Sequence, residues 1–173
     1  RAISQLRYQG YLRALADCGL PTEEELVIRA GSFDIGDAYR ATAERLRQGA
    51  DFTAVFSIAD NMALGAMRAI AEFGLRIPQD ISVIGYDDTE DSACYIPPLT
   101  TIRQNFPLLG ATSVDKLLQL SRGEPATDNQ RLPVSLVQRK TVQPPNAQVT
   151  SPQALADSLI QLARQVSLLA PKM

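Results

Sequence analysis

The sequence predicts an α/β fold, in which a parallel β-sheet is covered by helices on both faces. Short apolar runs typical of buried strands alternate with longer stretches of helical periodicity. Several of those stretches end at glycine, a common helix terminus. The chain has 173 residues, 45% of them hydrophobic, which is enough to build a core. Strands separated by helices imply right-handed crossovers, and therefore parallel strands.

The first half of the sequence repeats a helix–strand alternation. Apolar spacing over residues 6–16 predicts a helix that stops at Gly19. The apolar run 26–28 predicts a strand, and residues 36–48 predict a helix ended by Gly49.

The pattern continues with a strand over 52–58, a helix over 61–73 closed by Gly74, and a strand over 81–86. Asp60 stands where the N-cap of that helix is expected. These elements together predict the central part of the sheet.

The later part of the body is predicted to contain an extended segment over 99–102, a helix over 107–120 and a strand over 132–137. The body therefore covers 1–140.

Two further segments follow the body. Residues 141–151, which include Pro144 and Pro145, predict a linker. Residues 152–170 predict a helix, with Ser151 as its cap. Its apolar residues recur at spacings of four and three, as in a coiled-coil seam. They are Leu155, Leu159, Leu162, Val166 and Leu169.

Composition excludes several classes of function. The sequence has no histidine, which removes serine and cysteine proteases of the common kind and most zinc sites, so we expect no catalytic residues, no metal and no cofactor. The acidic cluster Asp87, Asp88, Glu90 and Asp91 does not have the spacing of a calcium loop, and a solvated or capping role fits it better. With a net charge of −2, the sequence lacks the excess of basic residues that is typical of nucleic-acid-binding domains.

Composition also bears on the cell compartment. No apolar run reaches the ~20 residues that span a bilayer. Cys18 and Cys94 are far apart and suit reduced thiols. We expect a cytoplasmic protein. Because the sequence opens on Arg1 and enters a helix at once, we expect it to be part of a longer chain.

Ligands of open parallel sheets bind at the carboxyl ends of the strands. Phe33, Asp60 and Asp87 each follow a predicted strand, and Arg7 lies on the first helix. An aromatic ring, carboxylates and a guanidinium can together bind a neutral sugar. Three of these residues also have an ordinary structural interpretation: Phe33 as core, Asp60 as a helix cap and Arg7 as a solvated surface residue.

Three stretches resemble the lac repressor family of transcriptional regulators. They are DNMALGAMRAI over 60–70, DISVIGYDDTEDSACYIPPLTTIRQ over 80–104 and LPVSLVQRK over 132–140. Residues 151–167 resemble the same family, and the first 53 residues do so more loosely.

The resemblance implies a periplasmic-binding-protein-like fold of two subdomains with the inducer in the cleft between them. This chain would supply the second subdomain and a returning part of the first, to which the helix 105–120 would belong. The implied inducer-binding residues are Arg7, Phe33, Asp87, Gln104 and Phe106. Ala59 departs from the pattern, because a family member carries a sugar-contacting asparagine there.

The resemblance also implies surfaces for assembly into a dimer of dimers. The dimer interface would include Asp91, Ser92, Cys94 and Tyr95, with Cys94 packing as a small hydrophobic residue. The five apolar residues of the segment 152–170 would form a tetramerisation helix.

The sequence therefore predicts the effector-binding and oligomerisation part of a sugar-responsive repressor that is not an enzyme. Its inducer would be galactoside-like or another small sugar. The whole protein would bind operator DNA through an amino-terminal helix-turn-helix absent from this chain and release it on inducer binding. One alternative is a periplasmic-type sugar-binding transport protein. Another is a sugar-modifying enzyme with Asp60 or Asp87 as its base.

Overall fold

The fold was obtained as a computed structural model that describes residues 2–49, 52–125, 130–144 and 166–171. The helices are α1 (Ala2–Asp17), α2 (Ile35–Arg47), α3 (Asp60–Glu72), α4 (Glu90–Cys94) and α5 (Phe106–Ser121), with a short 3-10 helix at Glu24–Leu26. The strands are β1 (Val27–Ala30), β2 (Ala54–Ser57), β3 (Ser82–Asp87), β4 (Thr100–Gln104), β5 (Val134–Val137) and β6 (Val166–Pro171). The predicted helix stops at Gly19, Gly49 and Gly74 are confirmed, each with a positive φ.

The six strands form one sheet in the order β1-β6-β2-β3-β4-β5. Every neighbouring pair is parallel except β4 and β5, which are antiparallel. The predicted α/β class is confirmed, but the sheet is mixed rather than wholly parallel. The reason is local: the chain leaves β4 at Gln104, forms α5, and re-enters the sheet at Val134, which pairs with Gln104. A strand that re-enters where its neighbour ended must run in the opposite direction.

One face of the sheet is covered by α2 and α3. Strand residues facing this side, such as Val55 and Val83, are fully buried with Met62 and Met67 of α3. The two helices approach very closely at Gly65, where an added Cβ would lie 2.3 Å from a backbone carbonyl oxygen of α2. Glycine at this position lets the two helices and the sheet close into one core.

The opposite face of the sheet packs against α1. Phe56 of β2 stacks on Tyr11 with 6.2 Å between ring centroids. Phe56 alternates with buried Val55 along β2, so the two side chains point to opposite faces. Helices therefore cover both faces of the sheet, as the sequence predicts.

The predicted linker is wrong at its start. Thr141 is fully buried: its hydroxyl donates to the Val83 carbonyl at 2.6 Å and accepts from the Thr100 amide at 2.8 Å. Gln143 is bonded to Ser82 as well. Because these bonds fasten residues 141–143 to the sheet, the body extends beyond residue 140.

The predicted helix over 152–170 is wrong at its end. Residues Val166–Pro171 form β6, which pairs in parallel with β1 on one side and with β2 on the other. An apolar run of this length fits a central parallel strand as well as a helix, and here two neighbouring strands supply its hydrogen-bond partners. The predicted assembly residues Val166 and Leu169 therefore lie in the sheet. Leu155, Leu159 and Leu162 lie outside the described residues.

The helix that connects β4 to β5, and β5 itself, expose apolar side chains to solvent. The exposed residues of α5 include Leu108, Leu109, Val114, Leu117, Leu118 and Leu120. Val134 and Leu136 of β5 are exposed as well. The helix predicted over 107–120 is confirmed, and its apolar positions are not covered by the body. Among the described residues, every helix falls short of the length and hydropathy that a membrane span requires.

Candidate functional site

Three side chains meet at the carboxyl ends of β3 and β4. Asp87 is the last residue of β3 and Gln104 the last of β4, while Arg7 reaches them from α1. Arg7 donates to Asp87 Oδ1 at 3.1 Å, and Gln104 Nε2 donates to the same oxygen at 2.7 Å. The structure therefore brings together three of the five predicted inducer-binding residues.

Arg7 is held on three sides. Besides the carboxylate, it donates to the Ile58 carbonyl at the end of β2. Its guanidinium carbon lies 3.9 Å from the centroid of the Tyr86 ring. A guanidinium bonded and stacked in this way keeps one orientation, which a solvated surface arginine would not.

Asp87 is an acceptor with one oxygen engaged and one available. Burial raises the pKa of its carboxyl group, although the positive charge of Arg7 and the hydrogen bonds from Gln104 and Arg7 act to lower it. Both donors use Oδ1. Within the described part of the chain, no donor is bonded to Oδ2, so this oxygen can accept from a ligand hydroxyl.

The backbone at Asp87 is strained. Asp87 has φ 123° and Asp88 φ 61°, a region that costs a non-glycine residue about 1–3 kcal/mol. Arg103 and Arg139 both form ion pairs with the Asp88 carboxylate, of which only 9% is exposed. Desolvation raises the pKa of Asp88, but the hydrogen bonds from these two arginines outweigh it and the net pKa is lowered. The two ion pairs help to hold the strained turn closed.

Asp60 has a different position from the one the sequence predicts. The N-cap of α3 is Ala59, and Asp60 is the first helical residue, with its side chain fully buried. It accepts from the backbone amide of Thr89 at 2.8 Å and from the hydroxyl of Thr101 at 2.5 Å. Asp60 is thus bonded to the turn after β3 instead of capping its own helix.

An open cavity of about 560 Å³ adjoins the Arg7–Asp87–Gln104 group. Arg7 and Gln104 lie on its wall, whereas Asp87, to which both are bonded, lies behind them and is not a wall residue. The rest of the wall is largely apolar, including Tyr11, Phe56 and Tyr86. A space bounded by a few fixed polar groups and aromatic rings is typical of small-molecule sites.

Two predicted site residues stay outside this group. Phe33 is 41% exposed and follows β1, which is separated from β3 by β6 and β2. At about 4.8 Å per strand, the two strand ends are roughly 14 Å apart. Phe106 is 52% exposed at the start of α5. Neither ring lines the cavity. Ala59, which departs from the family pattern, is buried.

The predicted dimer-interface residues fall into two groups. Asp91 and Cys94 are exposed on α4, so Cys94 does not pack in the core of this chain, and its packing against a partner stays a prediction. Tyr95 is partly buried against the core. Ser92 is fully buried, donates to the Thr89 carbonyl and accepts from Arg139. Because its bonds are internal, Ser92 presents no surface to a partner.

The sequence analysis missed the two groups that support this site. The ring of Tyr86 makes a cation–π contact with Arg7, and the Asp88 carboxylate forms ion pairs with Arg103 and Arg139. The one available signal was the adjacency of Tyr86 to Asp87. Arg139 is far from Asp88 in the sequence, and only the antiparallel return of β5 brings it near.

The fold and the site define a class: a ligand-binding α/β domain with its site at the carboxyl ends of the strands. The model of the periplasmic binding protein-like domain matches residues 1–142. The chain belongs to the periplasmic binding protein-like domain family, and within it to the lac repressor family.

The relatives confirm this second step. The chain is 62% identical to the lactose operon repressor of Escherichia coli K12 over 139 residues, which are 80% of this chain and 39% of that protein. It is 43% identical to the HTH-type transcriptional repressor PurR of Pasteurella multocida, over 69% of this chain and 35% of that protein. The chain thus spans less than half the length of these relatives.

Solved structures agree with the sequence relatives. A crystal structure of the Lac repressor dimer bound to operator and the anti-inducer ONPF superimposes with a TM-score of 0.73 at 52% identity, covering 79% of this chain and 47% of that one. A Lac repressor bound to ONPG gives the same TM-score of 0.73 over 80% of this chain and 41% of that one. The predicted periplasmic-binding-protein-like fold is therefore confirmed.

Proposed function

We propose that this chain is the carboxyl-terminal effector-binding part of a sugar-responsive transcriptional repressor. The observation that carries the proposal is the Asp87 carboxylate, fixed on one oxygen by Arg7 and Gln104 and open on the other. A neutral sugar needs such an acceptor and a nearby guanidinium, because its hydroxyls both donate and accept. Structures of related Lac repressors are described with the anti-inducer ONPF and with ONPG in the repressed state, which makes a galactoside-like effector the ligand class to test.

The longer protein would bind operator DNA through a separate amino-terminal segment and release it when the inducer binds. Such release requires that the inducer bind one conformation of the protein more tightly than the other. The relatives are described as repressors and regulators, which supports this function over a sugar carrier or an enzyme. A repressor of this kind acts in the cytoplasm, where operator DNA is.

Asp91, Cys94 and Tyr95 are the residues through which we propose that two copies associate. They lie at or beside α4, and the neighbouring Ile96 is 90% exposed, an apolar side chain that a partner would cover. The related Lac repressor is described as a dimer. Analytical ultracentrifugation of the chain and of Tyr95→Asp tests this proposal: a dimer that the substitution splits supports it, and an unchanged dimer contradicts it.

The ligand proposal is tested by titrating the 173-residue chain with ONPG and following backbone amide NMR shifts. Asp87→Ala should weaken binding by about 10- to 100-fold, the effect of losing one or two charge-assisted hydrogen bonds. Asp80→Ala is the matched control, because Asp80 is also paired with an arginine but lies away from the cavity. Equal affinities for Asp87→Ala and Asp80→Ala would reject Asp87 as the acceptor.

A further inference from the structure

Asp60 is a buried carboxylate that does not line the cavity yet is bonded to the turn beside it. Oδ2 accepts from the Thr89 amide at 2.8 Å and from the Thr89 hydroxyl at 3.3 Å. Oδ1 accepts from the Thr101 hydroxyl at 2.5 Å. With all of its surface buried, Asp60 has protein groups as its only surroundings. Such a complete set of bonds indicates a fixed side chain.

A glycine in β3 makes room for the Asp60 carboxylate against the sheet. Gly85 lies in β3 two residues before Asp87, and a Cβ added to it would lie 2.3 Å from Asp60 Oδ1. Any other residue at Gly85 would push the carboxylate away. Asp60 therefore packs directly against the strand that presents the ligand-binding carboxylate.

The tether acts on a strained segment. Asp87 and Asp88 adopt positive φ values of 123° and 61°, which non-glycine residues keep only when surrounding contacts impose them. Thr89 is the next residue, and the Asp60 bond fixes its backbone amide relative to α3. Thr89 also caps α4, because its hydroxyl accepts from the Ser92 amide. A shift of the Thr89 backbone would therefore move Asp87 as well, because only Asp88 separates the two residues in the sequence.

We propose that Asp60 is a positioning residue of the ligand site: it holds the turn at Asp87–Thr89 so that the Asp87 carboxylate faces Arg7 and Gln104. This inference rests on the proposed function of Asp87 as the sugar acceptor. Asp60 touches no ligand itself and acts through the geometry of its neighbour. Ligand groups tolerate displacements of only about 0.5 Å, so a small relaxation of the turn is enough to weaken binding.

The test compares two substitutions on opposite sides of the same carboxylate. Asp60→Ala removes both carboxylate oxygens and with them the acceptor of the Thr89 amide. Asn at this position would keep that bond, because its carbonyl oxygen can accept from Thr89 while its NH2 donates to the Thr101 hydroxyl. Thr101→Val is the matched control, because it removes the bond to Oδ1 and leaves the Thr89 bond in place. Asp60→Ala should weaken ONPG binding by about tenfold, while Asp60→Asn and Thr101→Val should each change it by less than about twofold. If Asp60→Ala and Thr101→Val lose affinity equally, Asp60 has only a general stabilising role and the proposal fails.

A ligand-free measurement keeps the proposal testable even without ONPG binding. In the wild-type chain the Thr89 backbone amide should be protected from hydrogen exchange, and the Gln104 side-chain amide should show the shift of a proton bonded to a carboxylate. Asp60→Ala and Gly85→Ala should both move the Gln104 signal, and Thr101→Val should leave it in place. A Thr89 amide that exchanges as fast as an open loop in the wild type would overturn the inference.

The outcomes separate this inference from the proposed function. If Asp87→Ala weakens ONPG binding and Asp60→Ala does not, the sugar site stands and the positioning role of Asp60 is rejected. If Asp87→Ala has no effect, the proposed function fails, whatever the Asp60 variant does. In that case the NMR comparison alone decides whether Asp60 sets the orientation of Asp87.

Discussion

Arg139→Met should lower the stability of the fold substantially, because it removes the main ion-pair partner of the nearly buried Asp88 carboxylate. The Asp88 carboxylate is 9% exposed and the Arg139 side chain 17%. Arg139 also donates to the Leu99 carbonyl at 2.8 Å and to the Ser92 hydroxyl at 3.2 Å. Removing one member of a buried ion pair costs about 3–5 kcal/mol.

Here the cost is reduced, because Arg103 remains bonded to the other oxygen of Asp88. We therefore expect the free energy of unfolding to fall by about 2–4 kcal/mol, a decrease in Tm of roughly 4–16 °C for a chain of this size.

Urea and thermal unfolding followed by circular dichroism measure this change. Arg103→Met is the matched control: it pairs with the same carboxylate, but its side chain is 55% exposed, so its loss should cost no more than about 1 kcal/mol. The double variant Asp88→Asn with Arg139→Met should recover part of the loss, because the one charge left without its partner is that of Arg103, whose side chain is largely exposed. A cost for Arg139→Met within about 0.5 kcal/mol of the Arg103→Met cost would refute the assignment of Arg139 as the principal partner.

Three further predictions use other parts of the molecule. Gly65→Ala should destabilise the chain by about 1–3 kcal/mol in urea unfolding, because the added Cβ would lie 2.3 Å from a backbone oxygen of α2. The control Gly10→Ala in α1 adds a Cβ with nothing within 4 Å and should stabilise the chain by about 0.5–1 kcal/mol, so equal effects of the two substitutions would contradict the packing at Gly65. ONPG affinity should fall as the pH drops through the pKa of Asp87, which burial raises above its ordinary range, because protonation removes the acceptor. Since that folded-state pKa is raised, the same protonation favours folding, and an affinity that is flat with pH would argue against Asp87 as acceptor. An NMR titration should give Asp80 a pKa of about 2, because the hydrogen bonds of Arg76 lower it, and any stability that this pair contributes is lost as the pH falls towards 2. Arg76→Ala should return the pKa of Asp80 to its ordinary range, and an unchanged pKa in the variant would contradict the assignment.

The local patterns predicted most of the fold. The helix over 61–73 and the strand over 81–86 appear as α3 and β3 within one or two residues, because apolar periodicity and a terminal glycine act over short distances. The segment 166–171 shows the limit of such patterns. Whether an apolar run becomes a helix or a strand depends on the neighbours it meets, and β1 and β2 are far from it in the sequence.

The site was predicted in part for the same reason. Asp87 follows a clear strand, so its place at the sheet edge could be expected, and the resemblance to the lac repressor family added Arg7 and Gln104. The role of Asp60 could not be predicted, because its partners Thr89 and Thr101 approach it only after three strands have assembled.

The position of β6 bears on the order in which the molecule folds. Within β2, α3, β3 and β4, neighbours in the sheet are also neighbours in the sequence, so this part can assemble through short loops. In the described part of the chain, the edge strand β1 is not bonded to β2 and joins the sheet through β6, where Val27 pairs with Leu168. Closing such a long loop is entropically costly and slow. The kinetics should therefore show a fast phase for the β2–β4 unit and a slower one in which β1 and β6 enter the sheet together.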